Sequence, residues 1–330
     1  QKTKNEFIET RKSKKNGDNL AVSFFPESNS LLEKAENNIV FTSKYNGKKI
    51  SLKGEIINNI TGRKISNITS NHQGIGSFEL LYYPNVNYSV KVNYNGIVKK
   101  FMIPKAKKEG FILEKKKLQK NLKTTDFRLK TNSATLSKTD GNYIYIVHHK
   151  NGYINTVTPV QLNKNYHNYK FSFLNKQLFN GINTLTVFND KNEPILERKF
   201  HHKNKTIDLK FDIIEKLADS VTVNITSLNS LTNTNLSISV LPEKSKNHKN
   251  STNILNDFLI KPYVHQREID ANIFFNDNYS SENIDDFLIA NQNGTYSFPN
   301  KQLNGIPLNN LNSECGVTIK GNIYSKLKNK

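Results

Sequence analysis

The residues of this chain that could take part in catalysis are few. The eight histidines are His72, His148, His149, His167, His201, His202, His248 and His265, and the single cysteine is Cys315. A cysteine nucleophile needs a histidine base held beside it, and no sequence motif connects Cys315 with any of these histidines. One cysteine also excludes an internal disulfide, so the fold must be held together by packing.

Two pairs of adjacent histidines, His148-His149 and His201-His202, suggest a metal site. Each pair falls at the end of a predicted strand, where neighbouring side chains point to opposite faces of the sheet. At most one histidine of each pair could therefore join a site, and a zinc ion would need further ligands in register. We favour the alternative that these histidines are half-exposed and cover the edge of a core.

Oxygen ligands are abundant in NDNYSSENIDD, residues 276–286, which raises the possibility of a calcium site. The stretch lacks the glycine and the closing glutamate of a twelve-residue calcium loop. Asp270, Asp285 and Asp286 fall in predicted helices, where surface capping explains them, and no pair of carboxylates is marked out for glycoside cleavage. We therefore predict that the protein is not an enzyme and holds no cofactor or metal.

The net charge of +20 comes almost wholly from lysine, since only five of the 48 basic residues are arginines. Such a charge can attract nucleic acid or an anionic membrane surface. Phosphate-reading proteins usually favour arginine, whose guanidinium can bind two oxygens at once, and the lysines here are scattered. We interpret them as a solvated surface under the codon bias of an AT-rich genome, and we expect no nucleic acid partner.

Short alternating apolar runs dominate the first two-thirds of the chain and recur every ~8–12 residues, as in antiparallel β-sandwiches. The strands predicted from them are 20–25, 38–45, 50–58, 64–70, 76–83, 87–94, 97–103, 111–117, 126–131, 142–149, 153–160, 168–173, 183–188, 195–201, 207–213, 221–226 and 235–241. Asn46-Gly47 and Asn95-Gly96 predict tight hairpins, because both residue types tolerate a positive φ. The glycines of NHQGIGSF, residues 71–78, lack the third glycine and the helix of a phosphate-binding loop. In NLAVSFFPES, residues 19–28, Pro26 cannot donate a ladder hydrogen bond, so Phe24 and Phe25 should end an edge strand. We expect residues 27–37 to cross to the opposing sheet.

These groups of strands predict a mainly β fold of tandem sandwiches with a small helical insert in the third. The insert, 251–298, contains two predicted helices, 251–275 and 280–292, in which Ser251 and Ser281 each precede an apolar helical face. No apolar run approaches the ~18 residues of a membrane span. The predicted segments are a polar stretch at 1–18, sandwiches at 19–104, 105–202 and 203–310, and a strand segment at 311–330 that starts a further domain.

The segment VSFFPESNSLLEKAENNIVFTSKYNGKKISLKGEIIN, followed by NHQGIGSFELLYYPNVNYSVKV, resembles the macroglobulin-like module of large Bacteroidetes envelope proteins. NYIYIVHHKNGYI through FNGINTLTVFNDKNEPILERKF is similar to the next sandwich of that family, and CGVTIKGNIYSK to the start of a carboxypeptidase-regulatory-like domain. Two features depart from the family: Ser28-Asn29 replace its two glycines, and NQNGTYSF lacks its tryptophan and arginine. The Glu-Gln that follows the thioester cysteine of true α2-macroglobulins is absent after Cys315.

The resemblance implies immunoglobulin-like or macroglobulin-like sandwiches in an exported protein of the periplasm, outer membrane or cell surface. It also implies a protein partner in the cell envelope, such as the plug of a TonB-dependent receptor, with peripheral association with the outer membrane. Gln1 is interpreted as an end left by processing or chosen for expression, which agrees with a cleaved signal peptide. The alternatives are a protease-interacting macroglobulin remnant and a module that binds glycan or lipopolysaccharide. Glycan-binding modules usually bind sugars on exposed aromatic residues. This sequence contains no tryptophan, which weakens the glycan alternative.

One candidate docking surface is predicted in the helical insert. Its apolar residues need cover, either from each other and the third sandwich or from a partner. Large exposed apolar patches usually mark interfaces. The residues of this predicted docking face are Phe258, Phe274, Phe275 and Phe287.

Overall fold

The computed structural model describes residues 19–116, 123–203, 209–217, 220–227, 260–264 and 281–291. They form tandem antiparallel β-sandwiches with few helices, which confirms the predicted mainly β fold. Across these described ranges, no helix has the length and apolar character needed to cross a membrane. The predicted domain boundaries themselves stay predictions, and the segments predicted at 1–18 and 311–330 lie outside the described residues.

The first sandwich contains two four-stranded sheets. In one, β2 lies between β1 and β6 and also pairs with β3; in the other, the order is β5-β4-β7-β8. The strands are β1 (Leu20–Pro26), β2 (Glu36–Tyr45), β3 (Lys48–Lys49), β4 (Lys53–Asn58), β5 (Lys64–Thr69), β6 (Ile75–Leu81), β7 (Tyr88–Tyr94) and β8 (Ile97–Met102).

The core of the first sandwich is built by alternation along these strands. Phe41 and Phe78 from one sheet meet Ile56 and Val90 from the other, and all four are buried. Because side chains of a strand alternate between its faces, each strand contributes every second residue to this layer. The apolar periodicity of the sequence is therefore the cause of the two-layer fold.

The glycine-containing turns behave as their sequence predicts. Asn46 and Gly47 have φ values of 49° and 79°, and Asn95 and Gly96 have 50° and 80°, as tight hairpins require. In the Gly-Ile-Gly stretch, Gly76 is required by close packing. A side chain at Gly76 would collide with the carbonyl oxygen of Thr69 and approach the ring of Phe41 to 2.7 Å.

The second sandwich packs a three-stranded sheet, β13-β10-β9, on a four-stranded sheet, β12-β11-β14-β15. A short helix, α1 (Ser133–Thr139), follows β10, and Asn132 caps it by accepting from the backbone N–H of Thr135 at 3.0 Å. The strands are β9 (Phe111–Lys115), β10 (Thr124–Thr131), β11 (Tyr143–Lys150), β12 (Tyr153–Gln161), β13 (Asn168–Leu174), β14 (Gly181–Phe188) and β15 (Pro194–His202).

Of the predicted third sandwich, the structure describes the hairpin of β16 (Leu209–Lys216) and β17 (Val221–Ser227) and the helix α2 (Ser281–Asn291). The predicted strand 235–241 and almost all of the predicted helix 251–275 lie outside the described residues. Residues 260–264 include a single 3-10 turn, Lys261–Tyr263. Helix α2 coincides with the predicted helix 280–292 to within one residue at each end.

The expectation that residues 27–37 cross to the opposing sheet is wrong. Strands β1 and β2 pair directly in one antiparallel sheet, with Phe24 opposite Phe41 and Pro26 opposite Ile39. Strand β1 does lie at the edge of that sheet, as predicted. The long connection between neighbouring strands is not needed for pairing, so its residues are free to serve another contact.

Candidate functional site

The connection between β1 and β2 docks on the second sandwich. The backbone N–H of Leu113 in β9 donates to Ser28 Oγ at 2.7 Å. Lys107, in the linker between the sandwiches, accepts from Glu33 N and donates to Leu31 O, at 2.9 and 2.7 Å. These backbone contacts extend the connection along the start of the second sandwich, so the two sandwiches meet through hydrogen-bonded main chain.

Asn132 reinforces the same junction from the second sandwich. Its Nδ2 donates to the backbone oxygens of Glu33 and Lys108, at 2.9 and 2.8 Å, while its Oδ1 caps helix α1. A short apolar cluster, Leu32, Ala35 and Ile112, lies beside these bonds and is buried. One asparagine thereby ties together the connection, the linker and the first helix.

A cluster of four charged residues lies at the end of this junction, and we call Glu27, Lys115, Arg198 and Asp285 the junction cluster. Arg198 of β15 is fully buried and Glu27 is 2% exposed. Arg198 donates to Glu27 Oε1 from Nε at 3.1 Å and from Nη2 at 3.0 Å. Its Nη2 also donates to Asp285 Oδ2 at 2.6 Å, and its Nη1 donates to the carbonyl of Lys199.

Lys115 completes the junction cluster from β9. Its backbone N–H donates to Glu27 Oε1 at 3.0 Å, and its Nζ lies 3.5 Å from Asp285 Oδ1. Asn38 donates to the other oxygen of Glu27, at 3.0 Å. Two cations thus face two carboxylates, and every oxygen of Glu27 has a donor. Such pairing is what a charge needs to be tolerated in a buried position.

The electrostatics of the junction cluster follow from its burial. Burial raises the pKa of Glu27 above its usual value, and nearby Asp285 adds to the rise while Arg198 opposes it. Burial alone would also raise the pKa of Asp285, but Arg198 and Lys115 outweigh it, so that pKa lies below the usual value. Of the two carboxylates in the cluster, Asp285 is therefore the harder one to protonate.

Helix α2 brings Asp285 and Asp286 to the junction. It packs against β1, β2 and β6 of the first sandwich and against β15 of the second. Asp286 accepts from Ser77 Oγ of β6 at 2.9 Å, and burial raises its pKa to about 6. The interpretation of Asp285 and Asp286 as surface caps is therefore wrong, because both carboxylates turn inward to bonds with the two sandwiches.

The apolar side of helix α2 is buried in the same place. Phe287 is 6% exposed and belongs to a cluster with Leu288, Ile182 of β14, and Tyr263 and Val264. Two of these residues come from the short segment 260–264, which also covers the helix. These contacts are internal to the chain, and α2 packs on the first two sandwiches, whereas the sequence predicted that the third would support it.

The four residues of the predicted docking face therefore divide into two groups. Phe258, Phe274 and Phe275 lie outside the described residues, so a docking face built from them stays a prediction. Phe287 is 6% exposed and lies in a contact within the chain.

The first histidine pair differs from the expectation in its burial, whereas His201 and His202 are half-buried, as expected. His148 and His149 are both buried, at 0% and 7% exposure. His148 Nε2 lies 2.8 Å from Asn183 Oδ1, and His149 Nε2 lies 2.8 Å from Thr186 Oγ1. Burial lowers the pKa of both. Within the described ranges, no group of three or more His, Cys, Asp or Glu residues could hold a metal ion.

Sequence reasoning missed Glu27 and Arg198 as a functional pair. Glu27 lies directly after Pro26, in a loop whose sequence suggests no more than a connection between strands. One weak signal was present: arginine is scarce in this chain, and Arg198 lies in a predicted strand, but Glu197 and Lys199 flank it there, so the strand alone does not mark it as buried. Its partner could not be found from sequence spacing, because it lies 171 positions away.

Comparison with known proteins gives three findings. No protein-family model matches the chain, and no curated protein matches it. Among solved structures, a red sea bream transglutaminase aligns at 9% identity and a TM-score of 0.21, over 58% of this chain and 32% of that one. A Salmonella α2-macroglobulin reacted with methylamine aligns at 11% identity and a TM-score of 0.21, over 62% of this chain and 16% of that one.

A tetra-tandem repeat from the extending region of a large adhesion protein aligns at 10% identity and a TM-score of 0.26, over 65% of this chain and 64% of that one. The chain thus spans less than two-thirds of the length of each of these three structures. Similarity at these TM-scores supports no conclusion about the function of this chain.

Proposed function

We propose that this chain is a non-enzymatic scaffold or binding protein of the cell envelope, in which the first two sandwiches form one rigid arm. The observation that carries the proposal is the junction cluster, where Glu27, Arg198 and Asp285 join the first sandwich, the second sandwich and helix α2 in a buried network. A flexible tandem array would not need to bury charges between its units, because burial of unpaired charge is costly.

The cell-envelope location is supported by the family resemblance of the sequence, as are an envelope protein partner and export. A rigid arm suits a protein that must hold a partner at a fixed distance or orientation. The resemblance implies association with a TonB-dependent receptor, and we include that partner in the proposal as the first to be sought.

The rigid arm is tested by measuring a distance across the junction. Spin labels at Lys100→Cys in β8 and Tyr153→Cys in β12 stand on exposed positions of the two sandwiches, with Cys315→Ser removing the native thiol. Pulsed electron resonance should give a narrow distance distribution that broadens when Arg198→Met is added. A broad distribution in the protein with an intact junction would contradict the rigid arm.

The location and the partner are tested in native cells. Fractionation should place the protein in the periplasmic or outer membrane fraction, and cross-linking before solubilisation should recover an envelope protein with it. Recovery of the protein in the cytosol would refute the envelope proposal. Trapping of an active protease, or binding of lipopolysaccharide that falls steeply with salt, would favour the alternative classes.

A further inference from the structure

A second feature of the junction is a cleft of about 250 Å³ on the side formed by β10 and β13. We call it the junction cleft. Lys34 and Glu36 line it from the first sandwich, and Arg128, Lys130, His167 and Asn168 line it from the second. A molecule bound there would contact both sandwiches at once.

Cations outnumber carboxylates by one at the junction cleft. Lys34, Arg128 and Lys130 line it, against Glu36 in the lining and Glu114 beside it. The Lys130 side chain is 6% exposed, with Nζ 3.3 Å from Glu114 Oε2, and it donates to the backbone oxygen of Glu36 at 3.1 Å. Lys130 is therefore held in place by the fold, as a built binding site requires.

Arg128 is the less satisfied cation. Its Nε lies 3.5 Å from Glu114 Oε2, which is an ion pair, but within the part of the chain that the structure describes this buried Nε has no hydrogen-bond partner. A buried donor without a partner is costly. In the sheet Arg128 stands between Glu114 of β9, which attracts it, and Lys170 of β13, which repels it because like charges in facing positions destabilise a sheet.

We propose that the junction cleft binds an oxyanion carried on a molecule no larger than a monosaccharide. An oxyanion beside Arg128 would accept from its guanidinium, which suits phosphate and carboxylate geometry, and would reduce the repulsion between Arg128 and Lys170. Glu36 and Asn168 offer groups for neighbouring hydroxyls. His167 is oriented by Ser133 Oγ, 3.0 Å from its Nε2.

The size limit comes from the cleft itself. Pockets for drug-sized ligands have volumes of about 300–1,000 Å³, and this cleft is smaller. An extended polymer would have to cross it with one residue inside. Because the lining comes from both sandwiches, the ligand would also stabilise the junction, since any ligand that binds only the folded state raises its stability. The site does not depend on the cell-envelope scaffold proposed above.

The test is calorimetric titration of the full chain with inorganic phosphate, glucose 6-phosphate and glucuronate. These probes distinguish a free anion from a phosphorylated and a carboxylated sugar. Glucose and sodium chloride at matched ionic strength serve as uncharged and unspecific controls. We expect saturable binding of at least one probe, a rise in melting temperature with that probe, and neither effect with the two controls.

Three variants locate the site. Arg128→Gln and Lys34→Gln should each weaken binding at least tenfold, whereas Arg63→Gln, the same change at an exposed arginine outside the cleft, should leave it unchanged. Lys34 is exposed, so its variant decides the question if Arg128→Gln fails to fold. Absence of saturable binding by all three probes, or equal binding by Lys34→Gln and the unsubstituted chain, would overturn the inference and leave the scaffold proposal standing.

Discussion

Arg198 and Glu27 lie 171 residues apart in the chain and meet in a buried ion pair, with Arg198 Nη2 3.0 Å from Glu27 Oε1. Glu27 directly follows the first strand of the first sandwich, and Arg198 lies in the last strand of the second. The ion pair therefore connects the end of the first strand of the first sandwich with the last strand of the second. Asp285 Oδ2 lies 2.6 Å from Arg198 Nη2, and this second ion pair attaches helix α2 to the two sandwiches.

Replacement of Arg198 by methionine should lower the free energy of unfolding by about 3–5 kcal/mol, because the change leaves Glu27 and Asp285 buried without their main cation. Chemical denaturation monitored by circular dichroism measures the loss. The matched control is Lys138→Met, which breaks an exposed pair with Glu109 at 2.7 Å and should cost under about 1 kcal/mol.

A triple variant tests whether the charges of the junction cluster act together. Glu27→Gln combined with Asp285→Asn and Arg198→Met removes all three charges of the network, and the combined loss should be smaller than the sum of the separate losses. Strict additivity would show that the three residues do not act as one network.

The titration of Asp286 should be visible in the pH dependence of the protein's stability. Burial raises its pKa to about 6, from 3.8. Folding therefore favours the protonated form, and this contribution is complete below pH 3.8 and lost as the pH rises through 6. Asp286→Asn keeps an acceptor for Ser77 and cannot ionise. The variant should gain stability over the unsubstituted protein between these pH values, by up to about 3 kcal/mol at neutral pH.

Urea unfolding of both proteins from pH 4 to pH 8 measures that difference. Groups that face Asp286 through the junction include Asp285, Arg198 and Glu27, and they are the same in the two proteins. A difference that stays constant with pH would show that Asp286 does not titrate in this range.

The titration of His201 should change the stability of the protein with pH in the opposite direction, over a similar pH range. Burial, with Lys115 second, lowers its pKa to about 4, from 6.5. Its contribution to stability is complete above pH 6.5 and is lost as the pH falls towards 4, because the unfolded chain then binds the proton more tightly. His201→Gln should remove this pH dependence, which changes the free energy of unfolding by up to about 3 kcal/mol between pH 6.5 and pH 4.

The same urea series, run on His201→Gln and on the unsubstituted chain, gives the pH profile of stability for each protein. Asp286→Asn and His201→Gln should tilt that profile in opposite directions. Equal slopes in the two variants would contradict the assignment of these groups.

The strands could be predicted because their signal is local. Apolar residues alternate within each run, and pairs such as Asn46-Gly47 mark where one strand turns into the next, so every predicted strand of the first two sandwiches has a counterpart in the structure. Helix α1 was missed because seven residues with one buried leucine, Leu136, carry too little periodicity to be recognised.

The junction could not be predicted, because its signal is not local. Glu27 and Asp285 look like ordinary surface acids in sequence, and only the packing of β15 and helix α2 brings them to Arg198. The position of α2 was missed for the same reason. The amphipathic pattern of a helix predicts that its apolar side will be buried, but the pattern does not indicate which part of the protein will cover that side.

Phe287 offers the most direct test of where helix α2 belongs. Its side chain is 6% exposed among Ile182, Tyr263 and Val264, so Phe287→Ala should cost about 3–5 kcal/mol of unfolding free energy through lost contacts and a cavity. Phe211→Ala is the control, since Phe211 in β16 is 60% exposed and should lose under about 1 kcal/mol. Thermal and urea unfolding measure both. If Phe287 instead formed part of a docking face, its variant would melt like the control while an envelope partner was lost from cross-linking, and the packing of α2 at the junction would be refuted.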